Sequence, residues 1–237
     1  ADAPCRQRYL RQTEKLYRAT INEVVPISNK ICYKTVKKYS KSMLTEKKSK
    51  FIASVSPVSD ENEALEFLKA VKSEYPDATH NVYAYVIDEN NIFRYSDDGE
   101  PGGTAGMPVL DAIRKEGLVD VIVVVTRYFG GTLLGTGGLV HAYGSCAKQG
   151  IGFSEIITRT LCNIISCEVD YSLVGKLQHF AAGEKLIIED TVYSDSVVFY
   201  ISCKIPDTES VIKKLADLTN GKAICNVVDS KYIDLYE

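Results

Sequence analysis

Most of the signatures that would give this chain an assignable chemistry are missing from it. No stretch approaches the ~20 apolar residues that a membrane-spanning helix needs, and no apolar signal region opens the sequence. The 28 basic and 31 acidic side chains leave a net charge of −3, so no global basic field draws the chain to nucleic acid or a membrane surface. Seven cysteines are scattered without a C-x-x-C pair, and the nearest two in sequence, Cys162 and Cys167, have no histidine beside them to complete a zinc set. They read as reduced thiols of a cytoplasmic protein. There is no Walker lysine, no G-x-G-x-x-G in a dinucleotide-binding context and no EF-hand spacing. Ser145 lies in no G-x-S-x-G elbow. His141, one helical turn away, lacks an evident carboxylate to orient it, and Cys146 reads as a packed thiol. The expectation is a chain without cofactor or resident metal, and a non-enzyme rather than an enzyme.

What is present centres on Gly117 to Gly150. Val119 to Val125 is an apolar, β-branched run broken only by Asp120, the pattern of a strand buried on both faces. Arg127 follows, then a loop with Gly130, Gly131, Gly135, Gly137 and Gly138, then Leu139, Val140, Tyr143 and Ala147 at helical spacing. Strand, glycine loop and helix together suit an anion, because a helix start presents unpaired N–H groups and a positive dipole end. Arg127 and these glycines are therefore candidate anion-binding residues. The competing reading is a tight turn, with Arg127 paired to an acid inside the fold.

A second glycine loop, Ser96 to Gly106, precedes another helix that Thr104 opens and Gly117 closes. Gly103 and Thr104 join the anion-binding candidates. Asp97, Asp98 and Glu100 repel one another unless a cation, an arginine or backbone N–H groups stabilise them. Internal ion pairs and helix capping are the favoured roles, ahead of a hard metal ion. If the two loops converge, Asp97, Asp98, Glu100 and His80 form the rim of a polar recess beside Arg127.

Around this centre, Ile31 to Tyr39 and Lys50 to Val58 alternate like strands. Asp60 and Glu63 have capping-box spacing before a helix whose apolar stripe is Ala64, Leu65, Leu68 and Val71. Thr79 to Ile87 and Ile92 to Tyr95 read as a hairpin. Beyond Gly150-Ile151-Gly152, taken as a change of unit, the order is strand (160–169), helix (172–182), strand (186–193), strand (197–205), helix (208–218) and strand (223–235). That β-α-β-β-α-β order is the ferredoxin-like pattern. At the front, Arg6, Arg8, Arg11, Lys15 and Arg18 with Leu10, Tyr17, Ile21 and Val24 allow a short basic amphipathic helix, although an extension outside the folded domains is the favoured reading of residues 1–32.

Three segments carry a family resemblance: ATHNVYAY from Ala78, YSDDGEPGGTAGMPVL from Tyr95 and TRYFGGTLLGTGGLVHAYG from Thr126. They resemble the IMPACT (YigZ) family, over the chain from about Tyr33 onward. The resemblance implies an α+β protein of two domains. One, over 33–153, is similar to the second domain of a small-subunit ribosomal protein. The other, over 154–237, is ferredoxin-like and similar to the last domain of a translation elongation factor. It further implies contact with RNA, the ribosome or a translation-related protein, with neither DNA nor membrane as partner. Eukaryotic members carry an RWD domain and regulate a starvation-responsive kinase pathway; the ferredoxin-like domain here looks like the bacterial branch. Gly102 and His141 stand where relatives often carry Ser and Arg. The first domain also resembles small-molecule kinases at the level of fold, which keeps a phosphate- or nucleotide-binding enzyme or sensor as the alternative.

Overall fold

The computed structural model describes residues 30–235; the basic helix expected near Leu10 to Val24 lies outside them. The described residues divide into two units, with the main change of unit in sequence after Arg159. The larger runs β1 (Cys32–Val36), β2 (Ser40–Glu46), β3 (Ser49–Pro57), α1 (Glu61–Glu74), β4 (His80–Ile87), β5 (Ile92–Ser96), α2 (Gly106–Lys115), β6 (Val121–Tyr128) and α3 (Gly135–Phe153). Its antiparallel sheet has the order β2-β3-β6-β4-β5, which puts the apolar run of β6 in the centre.

Period-two alternation then sends β6 into two cores. Val121, Val123 and Val125 pack with Leu110 and Ile113 of α2 and with Leu139, Tyr143 and Ala147 of α3. Ile122 and Val124 face the other way, against Ala64, Leu68 and Val71 of α1. Each such Val or Ile removed from water contributes about 1.5–3 kcal/mol, so the unalternating run is the signature of a sheet covered on both sides. Helix α1 starts as expected: Asp60 accepts from the Glu63 N–H at 2.8 Å. The Glu63 carboxylate reaches back to the N–H of Ser59, at 2.6 Å, rather than to the cap residue itself.

Three local expectations are corrected. Strand β2 was not expected, because what it buries is Ser40 and Ser42 while Met43 is exposed; an edge strand that covers its core with small hydroxyl side chains lacks apolar alternation. Helix α3 does not wait for the last glycine but begins at Gly135 and runs through Gly137 and Gly138. It also continues through Gly150 and Gly152. Gly150 is a contact point, not a breaker: a Cβ there would meet the Ala53 Cβ at 2.9 Å and a Val55 methyl at 3.0 Å. Its bareness lets α3 lie against β3, and its carbonyl accepts from the Ser40 hydroxyl at 2.7 Å.

The second unit runs β7 (Ile156–Val169), α4 (Val174–Gly183), β8 (Ile187–Tyr193), β9 (Val197–Lys204), α5 (Thr208–Leu218) and β10 (Ile224–Leu235). The first four residues of β7 and the last two of β10, Asp234 and Leu235, belong to the larger unit. β9 pairs with both β7 and β8, and β7 also pairs with β10 and with β1; the strands of this unit alone run β10-β7-β9-β8, the order of a ferredoxin-like fold. Leu177 of α4 and Val211 and Leu215 of α5 pack on Ile165, Cys167, Phe199 and Ile201. Ile164, Val198 and Tyr200 lie on the opposite face. No helix among the described residues is long and apolar enough to cross a membrane.

Candidate functional site

The two glycine loops of the larger unit meet at Arg127, which β6 delivers at its end. Pairing puts His80 of β4 directly opposite Arg127 on one side and Phe51 of β3 opposite on the other. The guanidinium lies 5.4 Å from the Phe51 ring centre and 5.6 Å from that of Phe129. It is 5% exposed. Such a burial needs a counter-charge, and Glu100 from the first loop supplies it: its carboxylate takes the Nη1 bond of Arg127. Nη2 points at the Ser49 hydroxyl at 3.4 Å. The pairing to an internal acid is thus observed, and the arginine is not an unmatched charge waiting for an anion. Its Nε is buried and has no hydrogen-bond partner among the described residues.

Glu100 is equally enclosed, at 8% exposure. The Tyr143 hydroxyl from α3 donates to the same carboxylate oxygen at 2.7 Å, and burial followed by the negative Glu100 pushes the Tyr143 hydroxyl above its ordinary pKa. His80 donates from Nδ1 to the Asp98 carbonyl at 2.8 Å, which turns Nε2 toward Glu100 at 3.8 Å. Strand end, acidic loop and helix are therefore joined through one carboxylate.

The other acids separate. Asp97 accepts from the N–H groups of Gly103 at 2.8 Å, Ala105 at 3.0 Å and Gly106 at 2.8 Å. Burial works against its charge, but these three donors hold the carboxyl below the usual range. The anion at the start of α2 is the protein's own. Thr104, at 7% exposure, donates its hydroxyl to the Pro101 carbonyl at 2.7 Å, so neither Gly103 nor Thr104 offers an external anion what the sequence suggested. Asp98, with a positive φ of 46°, accepts from the Asn81 N–H at 2.6 Å and from Lys72 at 3.1 Å. No group of three or more His, Cys, Asp or Glu side chains among the described residues is arranged to hold a metal ion.

The second loop is built differently. Gly130 donates its N–H to the Ser49 hydroxyl at 3.1 Å. A Cβ at Gly130 would stand 2.0 Å from the Lys48 carbonyl carbon, so the loop and the β2–β3 turn touch through bare backbone. Gly131 and Gly135 take positive φ values of 80° and 75°. The first turn of α3 carries no side-chain cap and no acidic residue; that of α2 has none of its own either, but there Asp97 reaches in from the preceding loop to take the N–H groups. Gly135 and Thr136 open onto a recess of about 440 Å3 whose polar lining includes His80, Glu100 and Arg127. Its walls are apolar: Leu134 and Leu139 lie inside, while Leu133 is 84% exposed and Phe129 47% exposed at the lip.

The recess thus brings together His80, Glu100, Arg127 and Gly135. Asp97, Asp98, Gly103 and Thr104 serve the turn beneath, and Gly130 serves the loop contact. Phe129, Leu133, Leu134, Leu139 and Tyr143 were not anticipated as site residues; the Leu133-Leu134 pair within a glycine loop was the available signal. His141 and Ser145 line a separate groove of about 310 Å3 between α2 and α3, with Lys115 and Lys148.

Comparison with known proteins agrees with this architecture. Residues 47–151 match the Impact N-terminal domain and residues 167–222 match a domain of unknown function, DUF1949. The IMPACT family member YvyE of Bacillus subtilis (strain 168) is 38% identical over 203 residues, spanning 85% of this chain and 94% of that protein. The chain belongs to the IMPACT family. Another IMPACT family member, YigZ of Escherichia coli (strain K12), is 32% identical over 178 residues, spanning 74% of this chain and 87% of that one. A crystal structure described as that of a hypothetical protein aligns with a TM-score of 0.54 at 28% identity, covering 84% of this chain and 98% of the other. Both glycine loops and the whole recess of this IMPACT family chain lie within the segment that matches the N-terminal domain.

Proposed function

We propose that this IMPACT family chain is a non-enzymatic accessory factor of translation, acting in the cytoplasm through contacts with RNA, the ribosome or a translation-related protein, and that the recess beside Arg127 is where it makes contact. The observation that carries the reading is the division of the recess into a fixed floor and an open lip. Arg127, Glu100 and Tyr143 bond one another out of solvent, an arrangement that holds shape and does not present a reactive group. Phe129 and Leu133 stand above it in solvent, where exposed aromatic and aliphatic side chains act as anchors for a partner. The family membership supports translation as the setting.

The test is co-sedimentation of the purified chain with ribosomes at low and high salt. Wild type is expected to pellet with ribosomes at low salt, more weakly as salt rises if phosphates are contacted, and Leu133→Asp is expected to stay in the supernatant while unfolding like wild type. Failure of wild type to pellet or to retard structured RNA at low salt would overturn the reading.

One observation favours a second reading, in which the recess takes a phosphorylated small molecule. The start of α3 has no side-chain cap and opens onto the recess, and the adjoining Arg127 Nε has no partner among the described residues. Calorimetry with inorganic phosphate and nucleotides decides it: heat with wild type that is lost in a folded Arg127→Lys variant supports the second reading, and no heat with wild type removes it.

A further inference from the structure

The ferredoxin-like unit holds a pair of thiols that the sequence does not bring together. Cys167 and Cys225 are 58 positions apart, yet their sulfurs are 3.2 Å from each other. Cys167 is fully buried on β7, within the core under α4 and α5. Cys225 is half-buried near the start of β10, the neighbouring strand at the edge of the sheet, and packs against the same core. The two cysteines lie on strands that pair in the sheet, and a disulfide spans Cα separations of about 4.4–6.8 Å. Closing the two sulfurs to the ~2.05 Å of a bond asks for side-chain rotation and no exchange of strands.

We propose that Cys167 and Cys225 form a reversible redox pair, closed to an intramolecular disulfide by a peroxide and reopened by a dithiol reductant. The division of roles follows exposure. The Cys167 thiol is pushed up by its hydrogen bond to Cys225 and then by burial. Cys225 is held below the ordinary thiol range by that same contact, against the opposing effect of burial. The accessible sulfur at the sheet edge is therefore the one that ionises first, and a thiolate is the attacking form. Cys225 sulfur attacks a peroxide oxygen and the O–O bond breaks; with one proton taken up, Cys225 becomes a sulfenic acid and a water leaves. Cys167 sulfur then attacks the sulfenic sulfur: the S–S bond forms, the S–O bond breaks, and the departing hydroxide takes the Cys167 proton to leave as the second water. Two thiols are oxidised by two electrons and one hydrogen peroxide is reduced to two waters.

The other described cysteines lack this arrangement. Cys146 is pushed up to about 12 by burial, and burial also raises the thiols of Cys162 and Cys203. The consequence of closure is mechanical: it staples the last strand to the first strand of its sheet across the intervening helices and hairpin, removing freedom from the unfolded chain.

The test treats the folded full chain with hydrogen peroxide at a small molar excess, blocks remaining thiols by alkylation, and maps the digest by mass spectrometry without and with dithiothreitol. The expected result is a Cys167–Cys225 linked peptide that dithiothreitol releases, together with a raised unfolding temperature for the oxidised protein. Cys203→Ser is expected to retain the link and Cys225→Ser to abolish it while leaving Cys167 reduced. Recovery of both cysteines as alkylated peptides after peroxide would overturn the proposal, as would over-oxidised Cys225 beside a free Cys167. A link accompanied by a lower unfolding temperature would place its formation in unfolded chains and overturn it equally.

Discussion

The two glycine loops have similar sequences of events, a strand followed by glycines and then a helix, and opposite outcomes. At the first, Asp97 sits on three N–H groups at the start of α2, and the helix start is closed by the chain itself. At the second, α3 begins without a side-chain cap, and its first residues open on the recess. A glycine-rich turn before a helix creates donors; whether they await a ligand depends on whether a carboxylate lies close enough to take them. Glu100 links the two cases, since it leaves the first loop to neutralise the arginine beneath the second.

The contrast can be broken hardest at that link. Glu100→Ala leaves the Arg127 guanidinium buried without its counter-charge, and removing one partner of a buried pair costs about 3–5 kcal/mol; denaturant unfolding is expected to show a loss of this order, with Arg127→Ala similar. Gly130→Ala forces a Cβ into the Lys48 backbone and is expected to destabilise by about 1–3 kcal/mol. Gly131→Ala, where a Cβ meets nothing within 4 Å, bears only the strain of its positive φ and is expected to lose less.

At the first loop, Asp97→Ala removes the cap and is expected to cost about 1–2 kcal/mol. Because the Asp97 carboxyl is held below its usual range in the fold, its contribution is fully present above the unfolded carboxylate value near about pH 4 and is lost as pH falls through the lower folded value. Asp97→Asn is therefore expected to show a flatter decline in stability on acidification than wild type, measured by thermal unfolding across that range. The smallest stability effect belongs to the second loop: Leu133→Ala, at a side chain 84% exposed, is expected to change unfolding by less than about 0.5 kcal/mol. A loss of ribosome binding by this variant, with stability unmoved, would mark the lip as an interaction surface.

The order of elements was readable wherever burial imposed a period. Val121 to Val125 announced a two-sided strand, Asp60 and Glu63 announced a helix start, and the last 75 or so residues spelled a ferredoxin-like order. Reading failed where the core is lined by small polar groups or bare backbone. Ser40 and Ser42 hide strand β2, and Gly150 marks a close helix–strand contact that resembles a break in one dimension. The acidic loop was legible as a set of charges needing partners, but the allocation of those partners was not.

By itself the sequence determined what had to be satisfied: apolar runs that must leave water, three clustered carboxylates and an arginine that cannot be buried alone, and glycines where backbone must turn or touch. Local chemistry dictates such demands, because hydrophobic periodicity and charge are properties of neighbouring residues. Which group answers which demand was decided only by the tertiary structure. Asp97 took the helix start, Glu100 took Arg127 across 27 positions, and Cys167 met Cys225 across 58, because strand pairing and helix packing set distances that no spacing along the chain encodes.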